Sequence, residues 1–213
     1  MRSAYKNKVL FFFLAVVLVP TAAFAIFSWY QDRIEPLPYF GAGYTIESGD
    51  DHHFSVPMFA FINQDGDSLN DTFVKGKIWV AHYFFIACPS ICPKMMADMQ
   101  TVQSAFKGDD NVKIISLTVN PEEDTPKQLK EYALKRKIDL RKWQLGTGNK
   151  RDLYRFARNG LFITATDGDG GPNDFIHSDK FVLIDRNDHI RGYYDGTSPA
   201  EVAQLIKDIR RLE

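Results

Sequence analysis

One stretch of the chain, 78-IWVAHYFFI-86, constrains the fold more than any other. It is almost wholly apolar, as expected of a central strand whose two faces are both covered by other elements. The only two cysteines of the 213-residue chain, Cys88 and Cys92, come directly after it in the segment 88-CPSICP-93. Folds of the α/β class place their ligands where strands end and helices begin. The sequence therefore predicts a functional site at the carboxyl end of this strand.

The remaining segments alternate between strands and helices. A hairpin around 64-QDGD-67 comes first, because Asp-Gly supplies the positive φ that a tight turn needs. The other predicted strands are 56–62, 112–119, 143–145, 180–185 and 189–195, and the predicted helices are 92–106, 125–137, 149–159 and 198–213. This order predicts an α/β fold, with a mixed sheet and helices on both faces. A cysteine pair between the first central strand and its helix is typical of a thioredoxin-like arrangement.

Composition permits a full core and argues against a nucleic-acid surface. Apolar residues make up 45 % of the chain and aromatic residues 14 %. A chain of this size does not need a disulfide to fold, so a purely structural bridge is a weak interpretation of the cysteines. The formal net charge is −1, and no basic stripe runs along the sequence. We therefore expect no nucleic-acid partner.

The N-terminus predicts a membrane anchor. Arg2, Lys6 and Lys8 precede residues 9–30, which carry no charge and are long enough for a transmembrane helix across a bilayer of about 30 Å. The basic flank stays cytoplasmic, so the rest of the chain lies on the extracytoplasmic side, in the periplasm or an equivalent space. The alternative is a cleaved signal peptide, because 23-AFA-25 resembles a cleavage site. The predicted divisions are residues 1–30 as flank and anchor, 31–52 as linker and 53–213 as the folded domain.

The spacing of the cysteines permits two kinds of chemistry. If the helix runs through both, Cys88 and Cys92 lie on one face with their Cα atoms roughly 6 Å apart. A reversible disulfide is then feasible near the upper limit of its distance range, and the helix N-terminus favours both thiolates near neutral pH. Two adjacent thiolates are also soft ligands that select copper or zinc. The spacing therefore leaves redox chemistry and metal binding both open. The presence of a third ligand would distinguish a metal site from a redox pair.

The five histidines supply the candidates for that third ligand. His82 lies inside the apolar strand and is interpreted as a core histidine held by a hydrogen bond. Solvated roles are expected for His52, His53 and His189, which lie in the linker or after a turn. His177 follows 166-TDGDGGPNDFI-176, a glycine-rich loop, and precedes a strand predicted to pair into the same sheet. A mobile loop of this kind could deliver His177 to Cys88 and Cys92.

These features resemble the Sco family, also called SenC, whose name stands for synthesis of cytochrome c oxidase. The matching features are the anchor, the hairpin with 65-DGD-67, the segments 88-CPSICP-93 and 121-PEEDTP-126, and His177-Ser178 before a strand that ends in 183-LID-185. The resemblance covers the chain from about Ser55 to the C-terminus. It implies a membrane-anchored copper protein with a thioredoxin-like fold, in which Cys88, Cys92 and His177 bind copper as Cu(I) or Cu(II).

Two positions depart from the pattern of that family. Asn120 stands where the family usually has Asp before the proline of Asp-Pro-x-x-Asp-Thr-Pro, while Asp124 is kept. Ile176 stands where the family often has Asp before the histidine. An isoleucine cannot orient or charge-stabilise an imidazole as a carboxylate can. We expect these departures to affect copper affinity and redox poise rather than the identity of the ligands.

The resemblance implies two functions from different classes. The first is a metallochaperone that carries copper to the dinuclear copper site of cytochrome c oxidase subunit II. The second is a thiol–disulfide oxidoreductase that keeps the cysteines of that site reduced, which needs the redox pair Cys88 and Cys92 but not His177. A thiol reductant or another copper chaperone is implied as a further partner. A peroxiredoxin-like peroxidase is a weaker hypothesis, because no arginine lies near the cysteines in sequence.

Overall fold

The computed structural model describes residues 12–27, 36–41, 53–168 and 175–213. The chain divides into two units, residues 1–37 and residues 38–213, and the described part of the first unit contains helix α1 over residues 12–27. Within the described ranges, no helix has both the length and the apolar character needed to cross a bilayer. The predicted anchor over residues 9–30 is described only in its central part, and most of the predicted linker lies outside the described residues.

A seven-stranded mixed sheet forms the centre of the second unit. The strands of the described residues are β1 (Ala60–Asn63), β2 (Ser68–Asn70), β3 (Ile78–Phe84), β4 (Val112–Thr118), β5 (Trp143–Thr147), β6 (Ala165–Asp167), β7 (Phe175–His177), β8 (Lys180–Ile184) and β9 (Ile190–Asp195). The sheet has the order β2-β1-β5-β4-β3-β8-β9, and β6 pairs with β7 outside it. Strands β3, β4 and β5 are parallel, while β1, β8 and β9 run antiparallel to their neighbours. The predicted mixed α/β sheet is confirmed.

Four helices of the second unit follow the predicted order. They are α2 (Cys92–Ala105), α3 (Pro126–Lys135), α4 (Lys150–Arg155) and α5 (Pro199–Leu212). Thr125 caps α3, because its hydroxyl accepts from the backbone N–H of Gln128 while the Gln128 side chain accepts from the backbone N–H of Thr125. A π-helical turn, Phe156–Gly160, extends α4. Helices α2 and α5 pack against each other, α3 packs against β5, and α5 also packs against β9.

The first hairpin starts later than its sequence predicts. The turn is present, with Gly66 at φ +85°, and β1 pairs with β2 as expected. However, β1 begins at Ala60 rather than at Val56. The backbone N–H of Val56 donates to the carbonyl of Asp188 at 2.8 Å, so this part of the chain is bonded to the β8–β9 turn instead of to a strand of the hairpin.

Strand β3 places the cysteine-bearing segment at the carboxyl end of a central strand. β3 pairs with β4 on one side and with β8 on the other. All of its side chains are buried, so both faces of the sheet are covered at its centre. His82 is fully buried there, with its Nε2 2.6 Å from the Oγ of Ser116, which confirms the core histidine. Because β3 ends at Phe84, the chain leaves the sheet just before Cys88.

The hairpin β6–β7 was not predicted from the sequence. Ala165 pairs with His177 and Asp167 pairs with Phe175, and residues 169–174 between the strands lie outside the described residues. His177 therefore ends a short strand of a separate pair, and does not lie in a loop that leads directly into the main sheet. Strands of three residues show too little alternation to be recognised in a sequence.

Candidate metal centre

The two cysteines lie on different elements. Cys88 lies in the turn after β3, where its N–H donates to the carbonyl of Phe85 at 3.4 Å, and Cys92 is the first residue of α2. Helix α2 therefore begins at Cys92, as the sequence predicted, and does not run through both cysteines. Pro89 explains this boundary, because a proline disfavours the helical conformation of the residue before it. Pro93 lies in the first turn of α2, where a missing N–H costs nothing.

His177 completes a cluster with the two cysteines. The Sγ atoms of Cys88 and Cys92 and a ring nitrogen of His177 all lie within 4.8 Å of one another. The Sγ of Cys92 is 3.4 Å from the Nε2 of His177, although the two residues are 85 positions apart in sequence. In the part of the chain that the structure describes, no other group of three histidines, cysteines or carboxylates is so close.

The imidazole of His177 is oriented by the backbone. Its Nδ1 is 3.0 Å from the carbonyl oxygen of Ser178, which can only accept, so Nδ1 carries the hydrogen and the Nε2 lone pair faces Cys92. Burial lowers the pKa of His177, opposed by the Ser178 hydrogen bond and the charge of Asp179. The neutral ring is the form that binds metals. Ile176 is 52 % exposed, and the Ser178 carbonyl supplies the orientation that a carboxylate before the histidine was expected to give.

The two thiols have opposite pKa shifts. Burial raises the pKa of Cys92, and the adjacent Cys88 and the charge of Asp124 raise it further. Burial also acts to raise the pKa of Cys88, but hydrogen bonds from the Cys92 side chain and from Ser90 outweigh it, so the pKa of Cys88 is lowered. The expectation that both thiolates are favoured near neutral pH is therefore wrong for Cys92. Cys88 is the more acidic and the more exposed thiol of the pair.

Asp124 ties the cysteine-bearing turn to the end of β4. Its Oδ2 accepts from the backbone N–H of Ile86 at 3.2 Å and from the hydroxyl of Thr118 at 2.5 Å. The carboxyl group is buried, and this burial raises its pKa. Asn120 is also buried, and its carbonyl accepts from the N–H of Asp124 at 2.9 Å. Sequence reasoning matched Asp124 to a family segment, but no pattern indicated its contact with the turn before Cys88.

A cleft of about 420 Å³ opens onto the cluster. Its walls carry the apolar side chains Phe85, Ile91 and Phe175. The Phe85 ring packs edge-on against Phe175, with 5.3 Å between centroids, and against His177, with 5.8 Å. Cys88 lines the cleft, whereas Cys92 is only 1 % exposed. An incoming molecule therefore meets Cys88 before Cys92.

Comparison with known proteins gives this arrangement a family. The family model described as SCO1/SenC matches residues 48–212 of the chain. The SCO1 protein homolog of Bacillus subtilis (strain 168) is 31 % identical over 160 residues, which are 74 % of this chain and 82 % of the relative. The chain belongs to the SCO1/SenC family.

Two solved structures of SCO1/SenC relatives share the fold. A SCO1/SenC family lipoprotein from Bacillus anthracis str. Ames is 32 % identical, with a TM-score of 0.69 over 75 % of this chain and 95 % of that chain. BsSco, a member of the Sco family of cytochrome c oxidase assembly proteins in which a disulfide switch was identified, is 31 % identical. Its TM-score is 0.65 over 74 % of this chain and 92 % of that chain.

The donor set of this SCO1/SenC chain fits copper. Thiolates are the soft ligands that Cu(I) prefers, and imidazole suits Cu(II), so two sulfurs and one nitrogen serve both oxidation states. The three donors face one another and lie beside an open cleft. Three methionines of α2, Met95, Met96 and Met99, are fully buried and belong to the core.

The other described histidines do not join the cluster. His53 stacks on Tyr39 with 3.5 Å between ring centroids, and His189 packs edge-on against the same tyrosine at 5.4 Å. The Nδ1 of His189 is 3.8 Å from a carboxylate oxygen of Asp185. Both rings therefore take part in packing rather than in the solvated roles expected of them. His52 lies outside the described residues.

Proposed function

We propose that this chain is a copper metallochaperone for the assembly of cytochrome c oxidase, with Cys88, Cys92 and His177 as its copper ligands. Its proposed destination is the dinuclear copper site of subunit II. The observation that carries the proposal is the convergence of three copper donors within 4.8 Å on a domain of the SCO1/SenC family. The relative BsSco belongs to a family of cytochrome c oxidase assembly proteins, which supports the destination.

Three donors suit a carrier of copper. A set of three protein ligands leaves room for one more donor, so an incoming client ligand can bind before the outgoing ligands leave. The cleft gives such a client access to the site, and Cys88 lines its wall. Because Cys88 is the more exposed thiol, it is the ligand that a client can displace first. Copper then passes between proteins without being released into solution.

The proposed location is the extracytoplasmic side of a membrane, with residues 9–30 as the anchor. The support is the uncharged run of residues 9–30 behind the basic flank Arg2, Lys6 and Lys8. In that compartment a reduced cysteine pair needs either a copper load or a thiol reductant as partner. The folded domain over residues 53–213 would then face the same space as the copper sites that it loads.

The second candidate function is a thiol–disulfide oxidoreductase, and the opposite pKa shifts of the two cysteines favour it. The Cys88 thiolate would attack a client disulfide, forming a mixed disulfide and releasing one client thiolate. Cys92, once deprotonated, would attack the Cys88 sulfur and release the second client thiolate. The client gains two electrons, the chain keeps a Cys88–Cys92 disulfide, and an external thiol reductant must then reduce it.

Complementation of cells that lack this protein separates the two functions. The metallochaperone predicts that both His177→Ala and Cys88→Ser lower cytochrome oxidase activity, and that added copper partly restores the histidine variant. The oxidoreductase predicts normal oxidase in His177→Ala and a loss only in the cysteine variants. His189→Ala is the matched control, because this histidine lies outside the cluster. Normal oxidase activity in His177→Ala would overturn the metallochaperone proposal.

A further inference from the structure

The hairpin that carries His177 needs support from outside itself. Strands β6 and β7 contribute three residue pairs and do not pair with the main sheet. An isolated two-stranded hairpin is marginally stable at best in water. At one end, next to His177, the N–H of Ser178 donates to the carbonyl of Thr164 at 2.9 Å. The other end, where Asp167 pairs with Phe175, leads into the glycine-rich segment and has to be held differently.

Three side chains meet at that second end, two from α4 and one from the hairpin. The Nζ of Lys150 is 2.7 Å from the Oδ1 of Asp167, and the hydroxyl of Tyr154 lies 3.0 Å from the same oxygen. The Tyr154 hydroxyl is also 2.9 Å from the carbonyl of Val119, so its single hydrogen is shared between two acceptors. Lys150 and Tyr154 both belong to α4, and Val119 follows β4. Lys150, Tyr154 and Asp167 are termed the Lys150 clamp.

The clamp is connected to His177 through an aromatic contact. The Lys150 ammonium lies 5.4 Å from the centroid of the Phe175 ring, the residue opposite Asp167. Phe175 packs edge-on against Phe85. Phe85 in turn packs edge-on against His177, which follows Phe175 by two residues in β7. Because Asp167 and Phe175 are paired between the two strands, a displacement of Asp167 also displaces Phe175. This disturbs the Phe85 ring, which packs against the imidazole of His177. The pKa of Asp167 is lowered by its hydrogen bond with Lys150, so the carboxylate is charged at neutral pH.

We propose that the Lys150 clamp is a positioning device that holds the β6–β7 hairpin so that the Nε2 of His177 faces the two cysteines. No hydrogen bond, ion pair or ring contact of the described residues joins its members to the three metal ligands, and their effect passes through Phe175 and the strand pairing. The hairpin itself is a property of the fold, whereas the consequence for copper rests on the proposed function. The clamp therefore has to be tested on the hairpin and on copper separately.

The expected effects are moderate, because Asp167 is partly exposed. Its side chain is 58 % exposed and that of Lys150 is 29 % exposed. Loss of an exposed ion pair changes an equilibrium by a factor of about 1.5 to 5. Loss of the Tyr154 hydrogen bond adds only a comparable factor, below the usual value for a carboxylate acceptor, because the hydroxyl can keep its bond to the Val119 carbonyl and Asp167 is exposed to water. Asp167→Asn removes the charge and keeps an oxygen for Tyr154, so it should have about a 1.5- to 5-fold effect. Asp167→Ala removes both contacts and should have about a 3- to 10-fold effect.

The first measurement is hydrogen–deuterium exchange of the metal-free full chain, in peptides that cover residues 163–168 and 175–178. Exchange there should accelerate by about 3- to 10-fold in Asp167→Ala and by about 1.5- to 5-fold in Asp167→Asn and Lys150→Met. Lys150→Arg keeps the charge, so its exchange in these peptides should stay close to that of wild type. The matched control is Asp152→Asn, which breaks another ion pair of α4, with Arg155, whose side chain is 64 % exposed while that of Asp152 is 48 % exposed. Exchange in Asp167→Ala equal to that of wild type would overturn the proposal.

The second measurement is binding of Cu(II) to the same variants. Asp167→Ala should raise the Cu(II) dissociation constant by the same factor as its exchange rate and should weaken the sulfur-to-copper absorption. Cu(I) binding and the titration of the two thiols should change less, because both depend on the cysteines. Faster exchange without any change in Cu(II) binding would also overturn the positioning role. Failure of the proposed function has a different signature, namely identical Cu(II) spectra of wild type and His177→Ala, and exchange alone then decides on the clamp.

Discussion

His82 should make the stability of the domain fall as the pH drops below about 6.5. It is fully buried in β3, and the Oγ of Ser116 lies 2.6 Å from its Nε2. The indole N–H of Trp143 donates to the same Oγ at 2.7 Å, so the serine hydroxyl hydrogen is left for Nε2. This chain of hydrogen bonds holds the ring as a neutral acceptor. Burial lowers the pKa of His82 from 6.5 to about 3.

The magnitude of the loss follows from the two pKa values. Between pH 6.5 and pH 3 the unfolded chain binds a proton at His82 and the folded chain does not, so lowering the pH favours unfolding. The stabilising contribution of the neutral ring is complete above pH 6.5 and is lost progressively below it. The loss is about 1.4 kcal/mol at pH 5.5 and about 2.7 kcal/mol at pH 4.5.

The assay is denaturant unfolding of the metal-free chain at pH 8.5, 7.5, 5.5 and 4.5, in a mild detergent because residues 9–30 are apolar. His82→Gln keeps an acceptor for Ser116 and has no group that titrates. Between pH 7.5 and 4.5, wild type should lose about 2.7 kcal/mol more of its unfolding free energy than the variant. Between pH 8.5 and 7.5 the two proteins should change in parallel, which is the internal control. Parallel loss of stability in the two proteins over the whole pH range would show that His82 does not become protonated on unfolding.

Three further predictions concern the cysteines and the N-terminus. In the metal-free protein, iodoacetamide should modify Cys88 at lower pH than Cys92, and equal pH profiles in peptide mass maps would contradict the opposite pKa shifts. Mild oxidant should produce a reversible Cys88–Cys92 disulfide, because their sulfur atoms lie within 4.8 Å, and two thiols that stay free would argue against it. The mature protein should keep residues 9–30 and remain with membranes after a carbonate wash. A mature N-terminus at Ile26 in mass spectrometry would show a cleaved signal peptide instead.

Long elements with a strong local signal could be predicted from the sequence. The apolar run of β3 predicts a strand whose two faces are both covered by other elements. The complete burial of β3 agrees with that interpretation. Thr125 and Pro126 predicted the start of α3, and the capping box formed with Gln128 gives the physical reason. The three proposed copper donors could be named because the resemblance supplied their spacing along the chain. In each case the information lies within a short segment or in a recognised motif.

Features that depend on distant contacts could not be predicted. The hairpin β6–β7 has three residues per strand, and its support comes from Lys150 and Tyr154 of another element. The hydrogen bond between Asp124 and the backbone of Ile86 joins positions 38 residues apart. The helix start at Cys92 was predicted, but a helix running through both cysteines was also considered, and Pro89 disfavours that conformation at Cys88, which lies in the turn before α2. The opposite pKa shifts of the cysteines follow from that difference in position and burial.

A titration of wild type and His177→Ala with Cu(II) tests the three proposed copper ligands directly. Wild type should bind one copper ion and show sulfur-to-copper absorption, because two thiolates and a neutral imidazole face one another. His177→Ala should weaken Cu(II) binding and this absorption more than it weakens Cu(I) binding, and it should leave the disulfide chemistry of Cys88 and Cys92 largely intact. Identical Cu(II) spectra for the two proteins would show that His177 is not a copper ligand and would favour the oxidoreductase.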